Sequence, residues 1–189
     1  MNTIKRFFAL GVLLPAMAVF TSCGEDVVPK PEAYLRLDYK EADYMIYDKA
    51  CALDFAVNSK ATIVDKGDCN LDIRYPDMKA TVYLTYKDIH NDLERLLRDV
   101  QKHTYEHVIK ADGIQEQPFM IPEKKLYGMF YEVGGDAATN AQFYVTDSVS
   151  HFISGSLYFY VKPNYDSLMP AANYIKNDMR TLMESIQWK

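Results

Sequence analysis

The stretch LDIRYPDMKATVYLTYKDIHNDLERLLRDV, residues 71–100, decides how the chain reads. Leu71-Asp72-Ile73-Arg74-Tyr75 alternates apolar and polar side chains, the period of two expected of a half-buried strand. Pro76-Asp77 stops that run, and Thr81-Val82-Tyr83-Leu84-Thr85-Tyr86, rich in β-branched and aromatic residues, reads as its hairpin partner. After Asp88, a good N-cap, the period lengthens. Ile89, Leu93, Leu96, Leu97, Val100 and Val108 fall on one helical stripe, while Asp92, Glu94, Arg95, Arg98, Asp99 and Lys102 occupy the opposite face.

Working outward, Tyr34-Leu35-Arg36-Leu37-Asp38-Tyr39 alternates as a first strand, and Cys51 to Val57 as a second that ends at the turn-prone Asn58-Ser59. Residues 111–123, with Gly113, Pro118 and Pro122, read as irregular. Strands are expected over Leu126–Val133, Ala141–Thr146 and Gly155–Val161, with Gly134-Gly135-Asp136 as a turn. A last helix spans about Ser167 to Ile186, capped by Asp166, with a stripe of Leu168, Ala172, Ile175, Met179, Leu182, Met183 and Ile186. Strands, a helix, more strands and a closing helix, without βαβ alternation, predict one α+β domain: an antiparallel sheet with two main helices packed on it.

The N-terminus carries a different signal. Lys5 and Arg6 precede an apolar run from Phe7 to Phe20, then Thr21, Ser22 and Cys23. The run is too short for a membrane span, which takes about 20 residues, and its layout is that of a secretory signal. A cysteine at the cleavage position points to a bacterial lipoprotein signal peptide over 1–22, with Cys23 diacylated as the mature N-terminus. The alternatives are an ordinary signal with a chance cysteine, or an N-terminal anchor. Residues 23–33, with Pro29 and Pro31, read as a lipidated tether, and 34–189 as the domain. Gly24-Glu25-Asp26 resembles a surface-export signal of Bacteroidota lipoproteins and reads equally as a solvated acidic linker.

Loss of the leader removes Lys5 and Arg6 but no acid, leaving 19 basic against 26 acidic side chains, a net charge of −7. That acidic balance argues against a nucleic-acid partner. Fifteen Tyr and nine Phe against one Trp suit an aromatic, β-rich body. Cys51 and Cys69 form an even pair in a chain bound for an oxidising compartment, which suggests a disulfide; two separate buried thiols are the alternative.

Reactive constellations are scarce. His103 and His107 share a helix face around Glu106, but the HExxH pattern of zinc hydrolases is absent, so an exposed polar face is the simpler reading. His90 and His151 stand apart in sequence, and Asp54, Asp72 and Asp147 lie in or beside strands. With no GxSxG, CxxC, phosphate-binding or dinucleotide motif, no catalytic residue, metal or cofactor is expected. Asp147-Ser148-Val149 and Asp166-Ser167-Leu168 match the Asp-Ser/Thr pattern used for O-glycosylation in exported Bacteroidota proteins, making Ser148 and Ser167 candidates. Turns and helix caps use the same dipeptide.

Several stretches together resemble one family. They are Pro29-Lys30-Pro31, Tyr34-Leu35-Arg36-Leu37, Cys51 and Cys69, Ile73-Arg74-Tyr75-Pro76, Leu84-Thr85-Tyr86 and His107 to Asp112. Others are Gln142-Phe143 through Thr146-Asp147-Ser148, His151-Phe152, Gly155 to Phe159, Lys162-Pro163-Asn164, Asp166-Ser167-Leu168 and Trp188-Lys189. Across nearly the whole domain the chain resembles the gliding-motility lipoprotein family GldD of Bacteroidota. The resemblance implies a membrane-anchored, non-catalytic accessory of gliding and of type IX secretion, held in the cell envelope and most often the outer membrane, with envelope proteins as partners. It maps the lipid to Cys23 and the disulfide to Cys51 and Cys69. Element order also looks like the Mog1/PsbP type of sandwich. An envelope hydrolase or isomerase, or a small-ligand carrier with a cavity between sheet and helices, is the alternative function.

Overall fold

The alternation in residues 71–86 builds the middle of a seven-stranded antiparallel sheet. The computed structural model describes residues 39–50, 52–106, 113–135, 139–161 and 165–189. They belong to one compact unit, Tyr34–Lys189. In chain order the strands are β1 (Tyr44–Tyr47), β2 (Leu53–Asn58), β3 (Thr62–Gly67), β4 (Asn70–Tyr75) and β5 (Ala80–Asp88). Helix α1 (Leu93–Glu106) follows, then β6 (Gly113–Ile121), β7 (Leu126–Gly134), β8 (Thr139–Thr146), β9 (His151–Phe159), helix α2 (Tyr165–Ser185) and β10 (Gln187–Trp188). The large sheet runs β3-β4-β5-β9-β8-β7-β6 and a small one β1-β2-β10, every neighbouring pair antiparallel. This is the α+β domain with two packed helices.

Two hairpins close with the same device. After β4, Pro76-Asp77-Met78 makes one 3-10 turn and Lys79 takes a left-handed conformation (φ 50°), its N–H donating to the Pro76 carbonyl at 3.1 Å. After β6, Pro122-Glu123-Lys124 and Lys125 (φ 53°) repeat it, at 3.0 Å. Both sites read apolar-Pro-acid-X-Lys, a recurrence visible in the sequence.

One face of the large sheet forms the core. Ile73, Val82, Leu84, Phe143 and Leu157 pack with Phe55 and Val57 of β2 and with Ile175, Met179, Leu182 and Met183 of α2. The predicted α2 stripe is therefore the buried one. Side chains alternate along a strand, so Gln142, between the core residues Ala141 and Phe143, faces the other way. There Thr104 of α1 donates to its Oε1 at 2.7 Å, which places α1 on the opposite face.

Several boundaries differ from the sequence reading. α1 begins at Leu93, not after Asp88, because Asp88 is still paired with His151 and Ile89 N–H donates to the Ser150 carbonyl. Asp92 stands in front of the helix instead, and its carbonyl accepts from Arg95 and Leu96. Residues Gly113–Ile121, expected to be irregular, form β6; Pro118 is tolerated because β6 is an edge strand. Asp166 lies inside α2, which starts at Tyr165. β9 begins at His151, four residues before the expected Gly155. The first predicted strand falls on residues 34–38 outside the described ones, apart from Tyr39, which is not in a strand; Val108 and Asp136 also lie outside.

Candidate functional site

A cavity of about 390 Å³ opens where the first half of α2 meets the β6–β8 end of the large sheet. Gly113, Ile114 and Gln115 of β6 form one wall, Glu132, Val133 and Gly134 of β7 the floor, and Met169, Ala172, Asn173 and Lys176 of α2 the other wall. Asn140 also lines it. The β8–β9 register shifts between Thr139 and Ala141, so Asn140 takes the extra position of a bulge, a device that re-aims side chains.

Deeper along α2, Lys176 and Arg180, one turn apart, both reach Glu132. Lys176 Nζ donates to Glu132 Oε2 at 2.6 Å and Arg180 to Oε1 at 2.7 Å, while Gln117 Nε2 donates to Oε1 at 3.0 Å. The Arg180 guanidinium also lies 4.1 Å over the Phe130 ring. Burial opposes ionisation of Glu132, but the hydrogen bonds from Lys176 and then Arg180 outweigh it and hold the carboxyl below its ordinary range. A depressed folded-state pKa contributes stability that is present above the unfolded value, about 4.3, and is lost as pH falls through the lower folded value. The melting temperature of the wild type should therefore drop more steeply between roughly pH 6 and pH 3 than that of Glu132→Gln, read by thermal denaturation. Parallel curves would contradict the network.

Two other polar clusters are closed on themselves. Asp178, 4% exposed, accepts from Tyr44 OH at 2.7 Å and Asn58 Nδ2 at 2.8 Å, and Asn58 also donates to Tyr174 OH. Burial first, and then Asp178, push the Tyr44 phenol up to about 12. This knot clips β1 and β2 to α2. At the other end of the sheet, Tyr86 OH lies 2.7 Å from His151 Nδ1 and donates to Asp88 at 2.8 Å, and the His151 ring stacks on Trp188.

The residues singled out from sequence fall in separate places. Cys23, Cys51 and His107 lie outside the described residues. Cys69, beside the β3–β4 turn, is disulfide-bonded. Ser148 is exposed at the tip of the β8–β9 hairpin, in a left-handed conformation (φ 68°). Asp147 beside it is occupied by the turn, its Oδ1 accepting from the backbone of Val149, Ser150 and His151. Ser167 is exposed in the first turn of α2. Asp54 pairs with Lys189 at 2.8 Å and Asp72 with Arg74 at 2.9 Å, so the three aspartates do not converge. Among the described residues no group of three or more His, Cys, Asp or Glu side chains is placed to hold a metal, and no helix is long and apolar enough to cross a membrane.

Asn140, Glu132, Asn173 and Lys176 are not legible as a site in the sequence, since they come together only across two hairpins and a helix. The one local hint is Asn140 itself, a poor strand former within a strand.

The model of the gliding motility lipoprotein family GldD matches residues 24–188. The chain belongs to that family. The match spans nearly everything that follows Cys23 and takes in the sheets, both helices and the cavity. It makes the chain a gliding-motility-associated lipoprotein of the cell envelope. No curated protein and no solved structure shows a significant match.

Proposed function

We propose that this GldD-family protein is a lipid-anchored, non-catalytic accessory of the gliding and type IX secretion machinery, holding or stabilising other envelope proteins at a membrane. The family match over residues 24–188 carries the reading. It is supported by the leader, whose apolar run to Phe20 is followed by Thr21, Ser22 and Cys23, and by polar clusters that satisfy one another within the fold. Diacylation at Cys23 gives stable attachment where one chain alone is marginal, with the outer membrane as the expected site.

The same reading pairs Cys51 with Cys69, which is supported by the oxidised state of Cys69. In the chain-entropy model such a loop contributes about 3 kcal/mol. It also leaves Ser148 and Ser167 open to O-glycosylation, supported by their exposure. Non-reducing intact mass of the mature protein reads lipid, disulfide and glycan together; an unmodified mass with two free thiols would remove all three.

A clean deletion tests the function. Loss of type IX cargo from the medium, together with lower levels of envelope partner proteins, is expected; a deletion that leaves both unchanged contradicts the secretion role.

A further inference from the structure

The cavity beside α2 holds a buried group that the fold leaves unsatisfied. Asn140 is 5% exposed, and its Oδ1 has no hydrogen-bond partner. Leaving a buried acceptor without a donor costs about 1–3 kcal/mol, and native domains carry few such groups. The bulge sets this residue against the cavity. Gln115 and Asn173 bring two further carboxamides to the same walls, while Met169 and Ala172 supply apolar surface.

A carboxamide is complemented by a group that offers one N–H and one C=O side by side, whichever way round the amide lies. An extended chain is such a partner, because the N–H and C=O of one residue in it point to the same side. The first residues of β6 form one rim, and β6 is the last strand of its sheet, so its outer backbone groups have no strand partner among the described residues. Extended peptides add to edges of this kind. Glu132 and Lys176, the charged lining residues, are paired with each other at 2.6 Å, so neither stands as an unpaired charge in the cavity wall.

We propose that this cavity binds an extended, uncharged peptide segment of an envelope partner. A turn of the Asn140 side chain brings Oδ1, buried in the unliganded fold, to the cavity, where a backbone N–H of the peptide donates to it; Asn173 and Gln115 meet neighbouring peptide groups, and a small apolar side chain rests on Met169 and Ala172. The proposal rests on the scaffold reading, since it names where a partner is held. Its test is binding in solution, so a negative result leaves the deletion phenotype standing, and a silent deletion leaves the binding result standing.

The test is an NMR titration of the mature chain in detergent with acetyl-Ala-Leu-Ala-amide and, separately, with N-acetylglucosamine, which carries an acetamide on a sugar ring. Saturable shift changes at Ile114, Val133 and Ala172 are expected with the peptide. Asn140→Leu should weaken binding at least about tenfold, a change of roughly 1.4 kcal/mol. Its melting temperature should stay level or rise, because an apolar side chain of similar size removes the unpaired acceptor. Asn173→Ala, at an exposed position, should also weaken binding and leaves the core untouched. Absence of saturable changes with the peptide, equal affinity in both variants, or changes caused by the sugar alone would overturn the proposal.

Discussion

Gly128→Ala is expected to lower the melting temperature by roughly 6–12 °C, the equivalent of about 3 kcal/mol in a domain of this size. Gly128 sits in β7 opposite Val145 of β8. A Cβ there would lie 2.0 Å from the carbonyl oxygen of Tyr144, 3.0 Å from its carbon and 3.2 Å from Val145 Cα. All three are backbone atoms of a strand held on both sides, so they cannot yield as a side-chain tip can. Relief requires β7 and β8 to part, which breaks ladder bonds in the sheet that carries the core. Gly113→Ala in β6 is the control, since a Cβ there meets nothing within 4 Å. Thermal denaturation of the two variants should show a large loss for the first and little change for the second. Melting of Gly128→Ala within a degree or two of wild type would contradict the close approach of these strands.

How much of this fold could be read in advance depends on how locally each element is determined. The β4–β5 hairpin was legible because Pro76 and the change from alternating to β-branched residues mark it within sixteen positions. The α2 stripe is legible because its apolar positions repeat with one period and, from Ala172 onward, are buried together. β1 was not: its exposed residues, Met45 and Ile46, are apolar where a half-buried strand would show polar ones. β3 and β6 were missed for a related reason, being edge strands with mostly exposed side chains and, in β6, a proline that reads as a breaker. The start of α1 is not fixed locally, because Asp88 can cap a helix or end a strand, and the pairing of β5 with β9 settles which. The cavity lies beyond any local pattern, since Ile114, Glu132, Asn140 and Lys176 are brought together by sheet order and one helix. The lipidation signal is the reverse case. It is plain in the sequence and rests on residues outside the described ones.

Cys23→Ala is expected to move the protein from the membrane to the soluble fraction while leaving the domain folded. The thiol that would take the diacylglycerol is removed. The apolar stretch of the leader, from Phe7 to Phe20, is too short to span a hydrocarbon core about 30 Å thick. Among the described residues no helix can cross a bilayer. Among the described residues the buried core runs from Ala50 to Ile186, with Tyr47 packed against it. Fractionation should show the variant washed from membranes that retain the wild type, with an unchanged melting temperature.

Complementation of the deletion strain with either wild-type protein or Cys23→Ala, at matched abundance and scored for secreted type IX cargo, tests the claim that placing this domain at a membrane is its function. The account predicts that wild type restores secretion and the folded, unanchored variant does not. Full restoration by Cys23→Ala would contradict it.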